Sequence, residues 1–194
     1  MEILFSDANI VVCIKPVGLD SEHEVPQALQ EVLSGGLFPV HRLDKNVGGV
    51  MVYARNQKAA AALSCAIQEG SMIKEYYALV HGTPEQSGDF QDLLFKDSRK
   101  NKVFVVKRKR AGVKEARLTY EALDRKDPCK VRIRLYTGRS HQIRVQFASR
   151  GFPLVGDHKY GAKDTEKAPF LYSCCLTFPY QGQARTFESK PLWL

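Results

Sequence analysis

An α+β fold with a mixed, largely antiparallel sheet is predicted by three observations. Short strand-like segments outnumber helical ones along the chain. Several follow one another with only a turn between them. No strand–helix–strand unit repeats at regular spacing. The 194 residues, 44% of them hydrophobic, suit one globular domain over residues 1–194 with a sizeable core.

Taken in order, Ile3 to Phe5 and Ile10 to Ile14 read as strands, turned at Asp7-Ala8-Asn9. Lys15-Pro16-Val17-Gly18 is a rigid turn, and Pro26 to Leu33 a short helix stopped by Gly35-Gly36. Gly49 to Ala54 is a strand. Asn56 is an N-cap for a helix in which Ala59, Ala60, Leu63, Ala66 and Ile67 recur at helical spacing, with Gly70 as the stop. Tyr76 to Val80, Val103 to Val106 and Arg117 to Leu123 are strands. Val131, Ile133 and Leu135 alternate with Arg132 and Arg134, the pattern of a half-exposed strand. Ser140 is placed to cap a helix running to about Ser149, closed by Gly151. Phe170 to Leu176 and Ala184 to Glu188 complete the set.

Composition excludes several classes. No apolar run approaches the ~20 residues that cross a bilayer, and the first residues lack the pattern of a signal or transit peptide. Five cysteines at 13, 65, 129, 174 and 175 form no C-x-x-C pair. This argues against a zinc site or a disulfide framework and for reduced thiols in the cytoplasm. No dinucleotide fingerprint or P-loop is present.

The net charge is +8, and it is local. Residues 96–117 carry ten Lys/Arg against Asp97 and Glu115, while the rest of the chain is balanced. Lys107-Arg108-Lys109-Arg110 is the densest run. Such a concentration suits a polyanion such as RNA, although a solvated hairpin tip gives the same pattern.

Two strings resist explanation as packing. His41-Arg42-Leu43-Asp44 sets a carboxylate beside cations in a loop ahead of a strand, and Val47-Gly48-Gly49 allows a sharp turn or a close backbone approach. Read alone, Asp44 is a loop carboxylate paired with Arg42 or Lys45. Thr137 to Arg144 offers Arg139, His141 and Arg144 around a helix start, with His141 and Arg144 sharing a face. Brought together, the strings would hold an ionised carboxylate beside a guanidinium. A carboxylate in an apolar site takes up a proton, and a guanidinium neighbour favours the anion. Tyr76 and Tyr77 point to opposite faces of a strand, one into the core and one able to stack on a base. A hydrolase built on Ser140 and His141 lacks a glycine-framed nucleophile turn.

Five strings in order resemble the RluA-type RNA pseudouridine synthases. IVVCIKPVGL is similar to that family's opening strand and Lys-Pro-x-Gly turn, and HRLDKNVGGVMVYARN to its catalytic-aspartate motif. IKEYYALVHG resembles its tyrosine motif, LYTGRSHQIRVQFASRGFPLVGDHKYG its long closing motif, and LYSCCLTFPYQGQARTFESKPL its last strand pair. The resemblance implies the pseudouridine synthase fold, a mixed sheet with flanking helices and a central cleft. It implies cofactor-free, metal-free isomerisation of uridine in ribosomal or transfer RNA by a monomer with no obligate protein partner. A non-catalytic RNA-binding protein on the same fold is the alternative. Residue by residue, Asp44 matches the catalytic aspartate, Tyr76 the tyrosine packed on the target base, Arg144 the aspartate's partner and Arg42 a residue near the flipped nucleotide. Arg139, His141 and the run 107–110 are the further RNA-binding candidates. Two departures stand out. Val47-Gly48-Gly49 replaces a Thr-Ser-Gly-like triplet, removing two hydroxyls that could brace the loop, and Gln146 stands where histidine is common. No S4-type RNA-binding domain is expected ahead of the first motif.

Overall fold

Eleven strands and three helices form from this pattern in a computed structural model that describes all 194 residues. In chain order they are β1 (Ile3–Ser6), β2 (Ile10–Lys15), α1 (Glu24–Gln30), β3 (Phe38–Pro39), β4 (Gly48–Ala54) and α2 (Gln57–Gln68). Then come β5 (Ile73–Val80), β6 (Ser87–Asp97), β7 (Lys102–Val106), β8 (Val113–Ala122) and β9 (Cys129–Leu135). Helix α3 (Gln142–Ala148), a 3₁₀ turn (His158–Tyr160), β10 (Leu171–Tyr180) and β11 (Gln183–Glu188) complete the chain. No helix is long and apolar enough to cross a membrane.

The chain divides into two compact units, Met1–Glu75 with Tyr172–Leu194, and Tyr76–Leu171. In the first, β1, β2 and β4 pair antiparallel in that order, and β10 joins β4 in parallel and β11 antiparallel. The Asp7 carboxylate accepts from the N–H groups of Asn9 and Ile10 at 2.8 and 2.9 Å, which makes the β1–β2 turn. The Asn56 side chain caps α2 by accepting from the Ala59 N–H at 2.9 Å. That helix lays Ala59, Leu63 and Ala66 on Val50, Val52, Leu176 and Phe178. Helix α1 starts two residues before the expected Pro26, because proline in a first turn forfeits no helical hydrogen bond.

Gly49 is where the first unit comes closest to itself. Its φ is +122°, and a Cβ there would overlap the Ser173 backbone across the β4–β10 pair. The glycines after Asp44 thus serve a close strand approach.

In the second unit, β9, β8, β6 and β7 pair antiparallel in that order. Strand β6 has no counterpart in the sequence reading. Gly88, Asp89 and Asp92 lower its strand propensity, and its neighbours supply the compensation. Asp89 pairs with Arg117 on β8 at 2.8 Å, and Asp92 with Arg150 at 2.8 Å. A side chain at Gly88 would overlap the Tyr120 ring, so glycine admits that ring. Phe147 of α3, fully buried, meets Phe90 and Tyr120 with centroids 5.1 and 5.2 Å away.

Candidate active site

The loop carrying Asp44 is held through its backbone. Buried Ser21 donates to the Leu43 carbonyl at 3.0 Å, and the Tyr53 hydroxyl donates to the Ser21 carbonyl at 2.8 Å. The Val47 N–H donates to the Asp44 carbonyl at 2.9 Å, and Gly18 donates to the Lys45 carbonyl at 2.8 Å. His41 accepts from the Val52 N–H through Nε2 at 3.2 Å. Desolvation, with a smaller push from the Lys74 ammonium, lowers the His41 pKa to about 3, so the ring stays neutral as an acceptor. The two cations flanking Asp44 each pair with another acid. Arg42 goes to Glu22 and Lys45 to Glu24, each at 3.1 Å. Acids near the start of α1 draw both cations away from the carboxylate between them.

Lys15, which the sequence reading left inside a rigid turn, is the strongest brace. Its side chain is fully buried, and its ammonium donates to the carbonyls of Pro16, Lys45 and Val47 at 2.9, 3.0 and 2.7 Å. Three N–H donors meet three carbonyls, two of them within three residues after Asp44. This clamp stands where the Thr-Ser hydroxyls are missing. Burial lowers the Lys15 pKa to about 8, opposed in part by Asp20, Asp44 and Glu24.

Two effects of opposite sign follow above pH 8. Between about 8 and the ordinary 10.5 the unfolded chain holds the extra proton. The Lys15 contribution to stability therefore rises with pH, and is lost as pH falls through about 8. The loop loses order instead, because a neutral amine has two donors for three carbonyls. Turnover is expected to fall along a one-proton curve centred near pH 8, while the denaturation midpoint shows no matching loss. Lys15→Met should remove that limb at a lower overall rate. A wild-type rate that stays level through pH 9 contradicts the assignment.

The second unit holds the other candidates. Tyr76 is the inward member of its pair, 5% exposed, and Tyr77 is half-buried. Ser140 does not cap α3. The helix starts at Gln142 behind His141, whose φ is +49° and whose side chain makes no cap bond. The Gln142 side chain instead ties the preceding loop to β8. Its Oε1 accepts from Thr137 Oγ1 at 2.8 Å and the Arg139 N–H at 3.0 Å, while Nε2 donates to the Arg117 carbonyl at 3.1 Å. Arg139 also donates through Nε to the Glu115 carbonyl at 2.8 Å. His141 and Arg144 do share a face, and both meet Tyr160.

Arg144 is nearly buried and forms a bidentate pair with buried Asp157, Nε to Oδ2 at 2.6 Å and Nη2 to Oδ1 at 2.8 Å. Neither Asp157 nor Tyr160 stands out from its local sequence. The Gly-Asp-His-Lys-Tyr-Gly string closing the long motif was the available sign. Gln146, at the position where histidine is common, is fully buried and donates to the Phe90 carbonyl at 3.2 Å and Asp92 at 2.7 Å.

Lys107, Arg108, Lys109 and Arg110 are all exposed in the loop between β7 and β8. Lys109 pairs with Glu115 at 2.5 Å, and the Arg110 guanidinium sits 4.7 Å from the Phe95 ring centroid. Lys107 and Arg108 are held by neither an acid nor a ring.

The sequence pattern of the RNA pseudouridylate synthase family matches residues 9–149. An uncharacterized RNA pseudouridine synthase of Zymomonas mobilis is 35% identical over 98% of this chain and 90% of its own length. One of Bacillus subtilis is 31% identical over 97% of this chain and 68% of its own. The ribosomal large subunit pseudouridine synthase D of Vibrio cholerae is 32% identical over 84% of this chain, which spans 53% of that protein. Among solved structures, human RNA pseudouridylate synthase domain containing 1 superposes with a TM-score of 0.86, covering 100% of this chain and 84% of that one at 22% identity. With the expected strands, the braced aspartate loop and the buried arginine in place, the chain belongs to the RluA-type RNA pseudouridine synthases, a family of isomerases.

Proposed function

We propose that this protein isomerises a uridine to pseudouridine in ribosomal RNA, with Asp44 as the catalytic carboxylate. The observation that carries the reading is the Asp44 loop. It is pinned through its backbone, by the carbonyls of Leu43, Asp44, Lys45 and Val47 and the Val47 amide, and both neighbouring cations pair with other acids. A solvated loop acid needs no such framework. A reacting group does, since the geometry must already exist when substrate arrives.

Uridine in structured RNA shields its glycosidic bond, so the nucleotide is extruded at a cost of about a few kcal/mol. Lys107, Arg108, Arg42 and Arg139 offset that cost through phosphate contacts. Tyr76 packs against the uracil. Arg144, fixed in its own unit by Asp157, serves as countercharge to Asp44. Ionised Asp44 then attacks the sugar or base, or removes a sugar proton. Either way the N1–C1′ bond breaks, the uracil turns, and C5 bonds to C1′. The proton on C5 leaves for solvent and N1 gains one, so no atom is gained or lost overall.

The choice of ribosomal RNA follows the names of several relatives, and transfer RNA is the other arm of the test. Pseudouridine is mapped in both RNAs from cells with and without the gene. The expected result is a ribosomal site that disappears on deletion and returns with wild type but not with Asp44→Asn. An unchanged pseudouridine map in both RNAs overturns the proposal.

A further inference from the structure

Tyr160 has no role in the reaction just described, yet it touches both His141 and Arg144 among the second unit's candidate groups. Its hydroxyl accepts from the Val103 N–H at 2.9 Å and lies 2.9 Å from Nδ1 of His141. Its ring centroid is 5.2 Å from the Arg144 guanidinium and 5.3 Å from the Lys102 ammonium. The His141 ring meets it edge-on at 5.7 Å. The preceding residue, Lys159, donates to the Asn101 carbonyl at 3.0 Å. Asp157, just ahead of the 3₁₀ turn, holds Arg144. A short turn thus grips the β6–β7 hairpin at residues 101 and 103, and the start of α3 at 141 and 144.

Ordinary packing does not ask for this. A half-buried tyrosine is satisfied by one partner for its hydroxyl and apolar neighbours for its ring. Here the hydroxyl joins two separate elements, and the ring lies near two cations of like sign. The negative face of an aromatic ring attracts both, which lets Lys102 and Arg144 share a small space. Lys102 opens β7 beside the β6–β7 turn, which also carries Arg99 and Lys100, while the run 107–110 lies past the far end of β7.

We infer that Tyr160 is a positioning residue with two separable jobs: its ring orients Arg144, and its hydroxyl fastens the basic turn end of the β6–β7 hairpin to the start of α3. This rests on the reading of Asp44 and Arg144 as the reaction centre. It goes further by assigning a residue that sets that arginine and links it to phosphate engagement on the hairpin.

The two jobs predict different kinetic losses. Tyr160→Phe keeps the ring and drops the hydroxyl. It should raise KM for RNA about 3- to 10-fold, the loss of one or two hydrogen bonds, with kcat within about twofold. Tyr160→Leu drops both, and should also lower kcat about 10-fold or more as Arg144 loses its platform. Both are assayed on structured RNA where denaturation curves show the protein fully folded, beside wild type and Asp44→Asn. A merely structural role moves both constants in step with stability, with no split between variants.

Wild-type kcat and KM in both variants, or losses that only follow the folded fraction, overturn the inference while inactivity of Asp44→Asn keeps the functional reading intact. Retained turnover in Asp44→Asn sinks the functional reading instead. Should Tyr160→Leu not fold, Tyr160→Phe decides alone, since an unchanged KM there removes the hydroxyl's role and a lowered kcat removes the separation of jobs.

Discussion

Asp44→Asn is expected to lower turnover at least about 1,000-fold, the scale on which removing a nucleophile or general base is felt. The protein should fold normally. The bonds that shape the loop run through the Leu43, Asp44, Lys45 and Val47 backbone and do not depend on the Asp44 carboxylate. The amide keeps the shape and volume of the acid but cannot attack carbon or take a proton from it. RNA affinity should change by no more than about twofold, because the phosphate-facing cations are untouched. Equilibrium binding and single-turnover rates on one RNA measure both halves. Binding lost together with rate would make Asp44 a substrate contact and not the reacting group.

Arg144→Ala is expected to injure folding and turnover together. It leaves Asp157 buried and without its bidentate partner, a loss of about 3–5 kcal/mol when one member of a buried pair is removed. It also strips a cation from the Tyr160 ring. The double variant Arg144→Met with Asp157→Asn removes both charges and should recover most of the stability. It should not recover turnover, because the countercharge assigned to Asp44 is still missing. Denaturation midpoints separate the two losses. A double variant that folds and turns over at the wild-type rate would remove Arg144 from the chemistry.

The parts of the fold that were legible are those written locally. Alternation at Val131, Ile133 and Leu135 marked β9, and Asn56 with the helical spacing of Ala59, Leu63 and Ala66 marked α2. Strand β6 was hidden because its acids are satisfied by Arg117 and Arg150, residues far along the chain. The start of α3 falls one residue later than a Ser140 cap implies, because His141 takes a left-handed backbone and the helix begins at Gln142 with no side-chain cap. The candidate site was half legible for the same reason. Asp44, Tyr76 and Arg144 came from motif order. Lys15, Asp157 and Tyr160 act by reaching residues that sequence spacing does not pair with them: Lys15 clamps carbonyls 30 and 32 residues on, and Tyr160 bonds an amide 57 residues back.

The central claim is that Asp44 drives the exchange of N1 for C5 as the uracil atom bonded to C1′ of the sugar. The most direct measurement is release of tritium from C5-labelled uridine in RNA, run with wild type and with Asp44→Asn at matched folded concentration. Wild type should release tritium to water in step with pseudouridine formed, and Asp44→Asn should stay at background. Background release from folded wild type on total cellular RNA, or equal release from both proteins, contradicts the claim.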